Sequence, residues 1–448
     1  MRYKKTKISG WGNFPVLETR LYRPERIREV LNLNAENSWL ARGLGRSYGD
    51  AAVNEKGGTV LMTRLNRFLE FDEQSGRLHA EAAVTLEEIL QIFVPRGWFL
   101  PVTPGTKFIT LGGAIASDVH GKNHHHGGSF GNFVESIELL TAAGEVLSCS
   151  RQENADLFRA TLGGNGLTGI ILSASIRLLP IETAYMQQTI IRTPNLEETL
   201  ARFDQHDQQY PYSVAWVDCF ARGAQLGRSV VILGNHARRE ELPTELRANP
   251  LPVHGNSQIP IPFRAPNGLL FSRLVWAYNR YHYYWKFRWA GSLVHYDPFF
   301  YPLDGVRNWN RLYGSRGFIQ WQCVLPLKHG AEGIRRILEW QHRAGRVSYL
   351  AVLKKMGKGN DGLSFPMKGY TIALDFPAND HPQQWTRELN ELVVAYGGRV
   401  YLTKDATLSR EHFEAMYPEL GTWKQIKQRV DPGGRFASAQ AERLGLLD

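Results

Sequence analysis

The chain has 448 residues, more than one hydrophobic core ordinarily holds, so its length predicts two domains. Its 43% hydrophobic and 21% charged residues are typical of a globular protein, and no segment predicts a signal peptide or membrane span, so we expect a cytoplasmic protein. The net charge of +10 is spread along the chain without a nucleic-acid-binding motif, which favours an anionic substrate or membrane surface over nucleic acid.

Strands and short helices alternate in the predicted first domain, residues 1–181. Thr85 is placed to cap the N-terminus of a helix that ends at Phe93, with Glu88 at the third helical position of a capping box. Residues 136–147 alternate polar and apolar side chains around a glycine turn, which predicts a β-hairpin.

Glycine clusters are the main feature of this first domain. They occur at Arg42–Gly49, Pro104–Thr106, Leu111–Ala114, Asp118–Gly128 and Gly163–Gly169. Glycine lets backbone amides approach a ligand closely, and successive amides form a concave site for phosphate oxygens. The clusters therefore predict a long ligand with a pyrophosphate, such as a dinucleotide.

One cluster, Gly164–Gly169, matches the spacing G-x-G-x-x-G of the Rossmann fold. That fold requires a strand before the glycines and a helix after them, because the pyrophosphate lies at the helix N-terminus. Here a predicted helix, Asn154–Ala160, comes first and a predicted strand, Ile170–Leu178, follows. The reversed order excludes a Rossmann site.

The predicted second domain, residues 182–398, lacks such clusters. Strands such as 318–324 and 370–376 are separated by helices at 331–344 and 383–396. This order is typical of a mainly antiparallel sheet with helices on one face, an α+β substrate domain.

Residues 276–301 form an unusual segment, with 12 aromatic side chains in 26 positions interleaved with Arg280, Lys286 and Arg288. Aromatic stripes are usually buried, but mixtures of Trp, Tyr and basic residues also favour membrane interfaces. Both interpretations stay open, so peripheral association with the inner membrane is an alternative.

The glycine clusters, read as Arg42–Ser47, Pro104–Thr106, Gly112–Gly113 and Gly163–Gly169, resemble the PCMH-type FAD-binding domain of the vanillyl-alcohol-oxidase superfamily. Asp118–His125, Gly128–Asn132 and Tyr401–Asp405 resemble, more narrowly, the decaprenylphosphoryl-β-D-ribose 2′-oxidase family. The resemblance reaches Ser438 and implies a two-domain α+β fold. Residues 399–448 would then return to complete the FAD-binding domain.

The resemblance implies that FAD is the cofactor. Some relatives tether FAD covalently through a histidine in the first glycine loop, where this chain has Arg46, so we expect non-covalent binding. The implied cofactor-binding residues are Ala41, Arg42, Gly43, Leu44, Gly45, Arg46, Ser47, Tyr48, Gly49, Asp50, Ala51, Gly105, Thr110, Leu111, Gly112, Gly113, Ser117, Asp118, Val119, His120, Ile171 and Tyr401.

Lys404 and His120 are the implied catalytic residues. Lys404 follows a predicted strand over residues 399–403 and matches the active-site lysine of the family, which offers a polar partner to the substrate hydroxyl. Without the resemblance, a surface lysine paired with Asp405 would be the default interpretation. His120 is expected to face the flavin ring.

Substrate-binding candidates come mostly from the second domain. Gln320 and Gln322 are two positions apart on one predicted strand and therefore point to the same face, where they suit sugar hydroxyls. Solvated glutamines on an edge strand are the alternative. The resemblance adds Lys354, Tyr301 and the catalytic lysine, and places an alanine, residue 373, where a relative has a pocket cysteine.

The run His124–His126 does not predict a metal site, because adjacent histidines point in different directions and no further ligand stands at a suitable spacing. Cys149, Cys219 and Cys323 lie far apart, which favours buried thiols over a disulfide framework or zinc site.

Three functions remain open. The first is oxidation of the 2′-hydroxyl of a polyprenylphosphoryl-β-D-ribose, with an NAD(P)H-dependent short-chain reductase as partner in an epimerisation. The second is a soluble alditol or aldonolactone oxidase that uses oxygen and a free polyol. The third, a flavin-free binding protein, is disfavoured because so many glycines are costly without a ligand to approach.

Overall fold

The computed structural model describes residues 2–33, 37–253, 259–268, 272–285, 292–379 and 381–448. It confirms the α+β fold class. Within these residues, no helix is both long and apolar enough to cross a membrane.

Two sheets dominate the N-terminal part of the chain. The four-stranded sheet has the order β1-β2-β4-β3, and the five-stranded sheet has the order β5-β6-β10-β8-β9. The strands are β1 (Tyr3–Ser9), β2 (Val16–Tyr22), β3 (Trp39–Arg42), β4 (Gly58–Leu61), β5 (Phe68–Asp72), β6 (Arg77–Glu81), β7 (Trp98–Phe99), β8 (Val134–Leu140), β9 (Val146–Ser150), β10 (Ile170–Arg177) and β11 (Leu179–Pro180); the helices are α1 (Ile27–Leu31), α2 (Leu86–Phe93), α3 (Leu111–Ala116), α4 (His124–Gly127) and α5 (Ala155–Thr161).

One large sheet dominates the remainder, with eight strands in the order β16-β12-β14-β13-β19-β20-β18-β21. Every pairing in it is antiparallel, as predicted. The strands are β12 (Tyr185–Thr193), β13 (Tyr212–Val217), β14 (Ser229–His236), β15 (Ile259–Pro260), β16 (Leu293–His295), β17 (Val306–Arg307), β18 (Phe318–Pro326), β19 (Ala351–Met356), β20 (Gly369–Pro377) and β21 (Arg399–Val400); the helices are α6 (Leu196–His206), α7 (Thr244–Arg247), α8 (Ser272–Tyr284), α9 (Tyr296–Phe300), α10 (Leu327–Arg343), α11 (Pro382–Ala395), α12 (Arg410–Met416), α13 (Leu420–Val430) and α14 (Ala439–Arg443).

Local sequence patterns predict several elements correctly. The Thr85 hydroxyl accepts from the Glu88 amide and the Glu88 carboxylate accepts from the Thr85 amide, which is the expected capping box of α2. Helix α5 precedes the glycines and strand β10 follows them, so the element order that excludes a Rossmann site is confirmed. The hairpin of β8 and β9 is also confirmed.

The predicted strand over residues 399–403 is shorter than expected. Strand β21 ends at Val400, and residues 402–404 form a 3-10 turn in which the Lys404 amide donates to the Tyr401 carbonyl. The turn redirects the chain out of the sheet and towards the glycine loops. The domain boundaries at 181 and 398 stay a prediction, and β21 pairs with the eight-stranded sheet.

The C-terminal segment is fastened to the first glycine loop by a cluster of charged residues. Arg443 donates to Asp50 at 3.0 and 2.8 Å and to Asp405 at 2.8 Å. Both carboxylates are buried. Because buried charges are stable only when they are paired, Arg443 fixes where the chain beyond β21 lies.

Replacing Arg443 with methionine leaves two buried carboxylates without their cation, so we expect the free energy of unfolding to fall by about 3 kcal/mol or more. Thermal or urea unfolding at pH 7 measures the loss. Arg410→Met removes a half-exposed arginine that pairs with Glu414 and Asp448, so this control should cost less than about 1 kcal/mol. Equal losses in the two variants would contradict a structural role for the Arg443 cluster.

Candidate active site

A deep cleft lies between the glycine loops of the N-terminal sheets and one face of the eight-stranded sheet. The predicted residues that line it are Ala41, Arg42, Gly43, Leu44, Gly45, Arg46, Ser47, Tyr48, Ala51, Gly105, Thr110, Gly112, Gly113, Ser117, Val119, His120, Ile171, Gln320, Gln322, Lys354, Tyr401 and Lys404. The structure therefore brings the candidate cofactor-binding and substrate-binding residues together in one site.

The first glycine loop follows β3 and packs tightly against the start of α3. A Cβ atom at Gly43 would lie 2.3 Å from the Thr110 hydroxyl oxygen, so this position requires glycine. Gly45 has a φ of +66°, a conformation that side chains disfavour. The buried Ser47 hydroxyl, which lines the cleft, has no hydrogen-bond partner among the described residues. A close backbone and an unpartnered hydroxyl fit a bound pyrophosphate.

The two arginines of this loop have different surroundings. Arg42 donates to the carbonyls of Ala52 and Ser9, so it braces the loop. Arg46 lies over the Trp11 ring at 4.0 Å. Burial lowers the pKa of Arg46, and nearby Asp304 opposes the shift. Arg46, which the resemblance places where some relatives tether FAD through a histidine, thus lines the cleft.

Lys404 is half-buried in the cleft, with its ammonium nitrogen 5.3 Å from the centre of the Tyr48 ring. The Tyr48 amide donates to the Thr403 carbonyl, which joins the first glycine loop to the turn that ends at Lys404. Burial lowers the pKa of Lys404 to about 8, although Asp375 acts to raise it. Its neighbour Asp405 accepts from Arg443, which excludes the surface pair Lys404–Asp405.

His120 packs beside the stacked rings of Phe365 and Tyr401, with centroid separations of 5.4 and 5.2 Å. Burial, followed by the charge of Lys354, lowers its pKa well below the ordinary value, so the imidazole is neutral. Its Nε2 lies 3.0 Å from the Gln322 amide nitrogen, which can donate only to an unprotonated Nε2. His120 thus orients Gln322 as well as lining the cleft.

Strand β18 directs its side chains to two different environments. Gln320 and Gln322 line the cleft, whereas the Trp321 indole donates to Asn390 on helix α11. This confirms the shared face of the two glutamines. Because both glutamines are buried, the alternative of solvated glutamines on an edge strand is wrong.

Lys354 extends from β19 into the same cleft. Burial, together with the charges of Lys404 and Lys122, lowers its pKa to about 7. The half-buried amines of Lys354 and Lys404 line one cleft and favour an anionic or hydroxyl-rich ligand, since a negative charge offsets their mutual repulsion.

Five predicted residues do not line the cleft, and each is held elsewhere for a physical reason. Gly49 packs against the Asp405 carbonyl, and Asp50 pairs with Arg443. Asp118 accepts hydrogen bonds from Gly131, Asn360 and Ser364, so it braces the loop around His120. Leu111 lies in the core, and the buried Tyr301 hydroxyl is bonded to Thr103.

The cleft also contains residues that the candidate list missed. Several, such as Pro104 and Gly166, belong to the glycine clusters already identified. The sequence contains a signal for Asp375. The resemblance places Ala373 in the pocket, and a residue two positions further along the same strand faces the same side. The additional lining residues are Trp11, Ala52, Met62, Ala82, Pro104, Thr106, Ile109, Ala116, Asn165, Gly166, Gly169, Leu303, Asp304, Trp309, Leu350, Val352, Ala373, Asp375 and Thr403.

The three adjacent histidines have separate partners. His124 bonds Ser129 and the Gly357 amide, whereas His125 and His126 contact the carbonyls of Tyr210 and Asp207. In the part of the chain that the structure describes, no group of three or more His, Cys, Asp or Glu side chains is arranged to hold a metal ion.

The aromatic segment has two different environments. Helix α8 buries Val275, Asn279 and His282 on one side, whereas residues Tyr296–Tyr301 lie in the core apart from the exposed Pro298. Beside this buried side, α8 and the residue that follows it expose Leu274, Tyr278, Tyr281 and Trp285, and Arg280 lies over the rings of Trp276 and Tyr284. Lys286 and Arg288 lie outside the described residues.

Comparison with known proteins agrees with this geometry. Residues 21–150 match the family described as FAD binding domain, and residues 370–444 match D-arabinono-1,4-lactone oxidase. The first match covers the first glycine loop and α3, and the second covers Lys404.

Two individual relatives allow a narrower family assignment than the two family matches do. L-gulonolactone oxidase of Bos taurus is 24% identical over 99% of both chains. Decaprenylphosphoryl-beta-D-ribose oxidase of Mycolicibacterium smegmatis is 40% identical over 98% of both chains. FAD is therefore the cofactor, and the chain is a FAD-dependent oxidoreductase that belongs to the decaprenylphosphoryl-β-D-ribose oxidase family.

Proposed function

We propose that the protein oxidises the 2′-hydroxyl of a polyprenylphosphoryl-β-D-ribose to a ketone, the first half of an epimerisation to the arabinose donor. The observation that carries the proposal is that Lys404 lines the same cleft as the glycine loops, in a chain 40% identical to such an oxidase. Bound FAD would supply the hydride acceptor. Lys404 would donate a hydrogen bond to the substrate oxygen.

The remaining polar side chains suit a sugar phosphate. Gln322 is held by His120 and Thr371, so its orientation is fixed before the substrate binds. Lys354 has no hydrogen bond or ion pair among the described residues and would contact a phosphate or hydroxyl oxygen. An NAD(P)H-dependent short-chain reductase would then reduce the ketone from the opposite face.

A second function, oxidation of a free alditol or aldonolactone with oxygen, is favoured by the match of residues 370–444 to D-arabinono-1,4-lactone oxidase. That match covers β20 and the turn with Lys404, whereas the 40% identity to decaprenylphosphoryl-beta-D-ribose oxidase extends over 98% of the chain and favours the first function.

Anaerobic mixing with candidate substrates distinguishes the two functions. Polyprenylphosphoryl-β-D-ribose should bleach the visible flavin spectrum, while alditols and aldonolactones at the same concentration leave it unchanged. Bleaching by a free polyol alone would overturn the proposed substrate and support the alternative.

Lys404→Ala should retain FAD, because the glycine loops rather than Lys404 hold the cofactor. The limiting rate of flavin reduction, measured by stopped flow at saturating substrate, should fall by roughly two orders of magnitude or more. Lys404→Arg should restore the rate only in part, since a planar guanidinium cannot replace a compact ammonium. If the limiting rate is unchanged and only the substrate concentration that gives half of this rate rises, Lys404 is a binding residue only.

We also infer that helix α8 places the protein at an anionic membrane surface. Its exposed side has the spacing i, i+4, i+7 and i+11 from Leu274 to Trp285, which forms one apolar stripe along the helix. Arg273, Arg280 and Arg192 lie on or beside this helix. Aromatic and basic side chains together are typical of helices that lie at a bilayer interface, where a lipid-linked substrate would be found.

The double variant Tyr278→Ser, Tyr281→Ser should sediment less with phosphatidylglycerol vesicles than the wild type, and high salt should weaken wild-type binding. Tyr3→Ser is the matched control, because Tyr3 is equally exposed but lies on the N-terminal hairpin. Binding that both variants reduce equally, or that neither reduces, would contradict the assignment to α8.

A further inference from the structure

Asp375 has a carboxylate oxygen without a partner at the centre of the cleft. It lies on β20 directly opposite Gln320 on β18, and its Oδ1 accepts from the Gln320 amide at 2.6 Å. Its Oδ2 accepts no hydrogen bond of ordinary geometry from a described residue, although Asp375 is only 1% exposed and the Tyr313 hydroxyl lies near enough to lower the pKa of the carboxyl group. A buried carboxylate oxygen is costly unless a donor reaches it, so this oxygen is placed for a group that the ligand supplies.

The groups that face Asp375 come from several elements. Lys404 approaches from the 3-10 turn, Tyr48 from the first glycine loop and Tyr313 from the segment before β18, with Tyr349 stacked on Tyr313 at 6.0 Å. Within the described residues, no ion pair joins Asp375 to Lys404, although each affects the charge of the other. The carboxylate and the ammonium thus line one cleft without neutralising each other by direct contact.

We propose that Asp375 accepts the proton of the substrate hydroxyl while Lys404 donates a hydrogen bond to the same oxygen. This inference rests on the proposed oxidation. The O–H bond breaks and its proton passes to Oδ2 of Asp375; the C–H bond breaks and its hydride passes to FAD. The carbon loses two electrons and becomes a carbonyl; bound FAD, held by the glycine loops, would be the acceptor of these electrons.

The protonation states agree with these roles. Burial raises the pKa of Asp375 to about 7, against the opposing effects of Gln320 and Lys404, so near neutral pH the carboxylate can both accept and release a proton. The pKa of Lys404, about 8, leaves it largely protonated and therefore a donor. His120 is neutral, but its Nε2 already accepts from Gln322.

Asp375→Asn tests the proposal with little change in shape, because an asparagine oxygen can still accept from Gln320. FAD content should be unchanged, and the limiting rate of flavin reduction should fall roughly 100-fold or more. In the wild type this rate should rise with pH through about 7 as the carboxyl group of Asp375 loses its proton, and the variant should lack that rise. Asp156→Asn, which changes an exposed carboxylate paired with Arg429, should match the wild type.

Thermal unfolding of the holoenzyme gives a readout independent of turnover. A raised pKa in the folded state means that the Asp375 carboxyl contributes stability that is lost as the pH rises from about 4 towards 7. The Asp375→Asn variant has no carboxyl group at this position and keeps its stability over this pH range. The melting temperature of the variant minus that of the wild type should therefore become more positive between pH 5 and pH 8. A difference that does not change with pH would overturn the titration of Asp375 in this range.

Asp375→Ala provides a second test, because formate can occupy the space left by the carboxylate. Formate should restore flavin reduction, while formamide, which has the same shape but cannot accept the proton, should not. Equal restoration by both, or an Asp375→Asn rate within threefold of the wild type, would overturn the proposal. Failure of wild-type flavin to be reduced by any polyprenylphosphoryl pentose would instead refute the proposed function.

Discussion

Burial of an ammonium group and a carboxyl group in one cleft is the constraint on which the site depends. Burial raises the pKa of the Asp375 carboxyl group and lowers the pKa of the Lys404 ammonium group, and the charge of each group opposes the shift of the other. The fold keeps a competing carboxylate away from Lys404, because Arg443 binds Asp405. As a result, the Lys404 ammonium group lies in the cleft and does not form an ion pair with Asp405, its neighbour in sequence.

The cleft is assembled from two kinds of backbone. The glycine loops supply close-packed main chain without side chains, which suits a large cofactor with a pyrophosphate. The eight-stranded sheet supplies side chains at regular spacing on one face, including Gln320, Gln322, Lys354 and Asp375. The hydrogen bond from the Tyr48 amide to the Thr403 carbonyl joins the two parts where the cofactor and substrate sites meet.

Helix α8 packs against the eight-stranded sheet on one side and exposes aromatic residues on another side. Asn279 reaches Asp218 and His282 stacks on Trp216, so the polar residues of α8 fasten it to the sheet. The aromatic residues Tyr278 and Tyr281 are left on the outer side. For an oxidase of a lipid-linked sugar, an outer surface of this composition would bring the cleft to its substrate.

The sequence by itself determined the elements and the class of cofactor. Local signals act over a few residues, so the capping box at Thr85, the helix-glycine-strand order around Gly163–Gly169 and the common face of Gln320 and Gln322 could be predicted. The resemblance, and not any spacing, identified Lys404. Periodicity also predicted a strand up to residue 403, but the structure has a 3-10 turn there.

Only the tertiary structure decided which of these residues meet. Asp375 lies opposite Gln320 because β18 and β20 pair across more than 40 intervening residues. Asp50, predicted to bind the cofactor, instead pairs with Arg443 near the C-terminus. The aromatic residues of α8 and of residues 296–301 have similar composition, yet only the latter are largely buried. Burial and ion pairing depend on what packs against a side chain, and distant parts of the chain supply those neighbours.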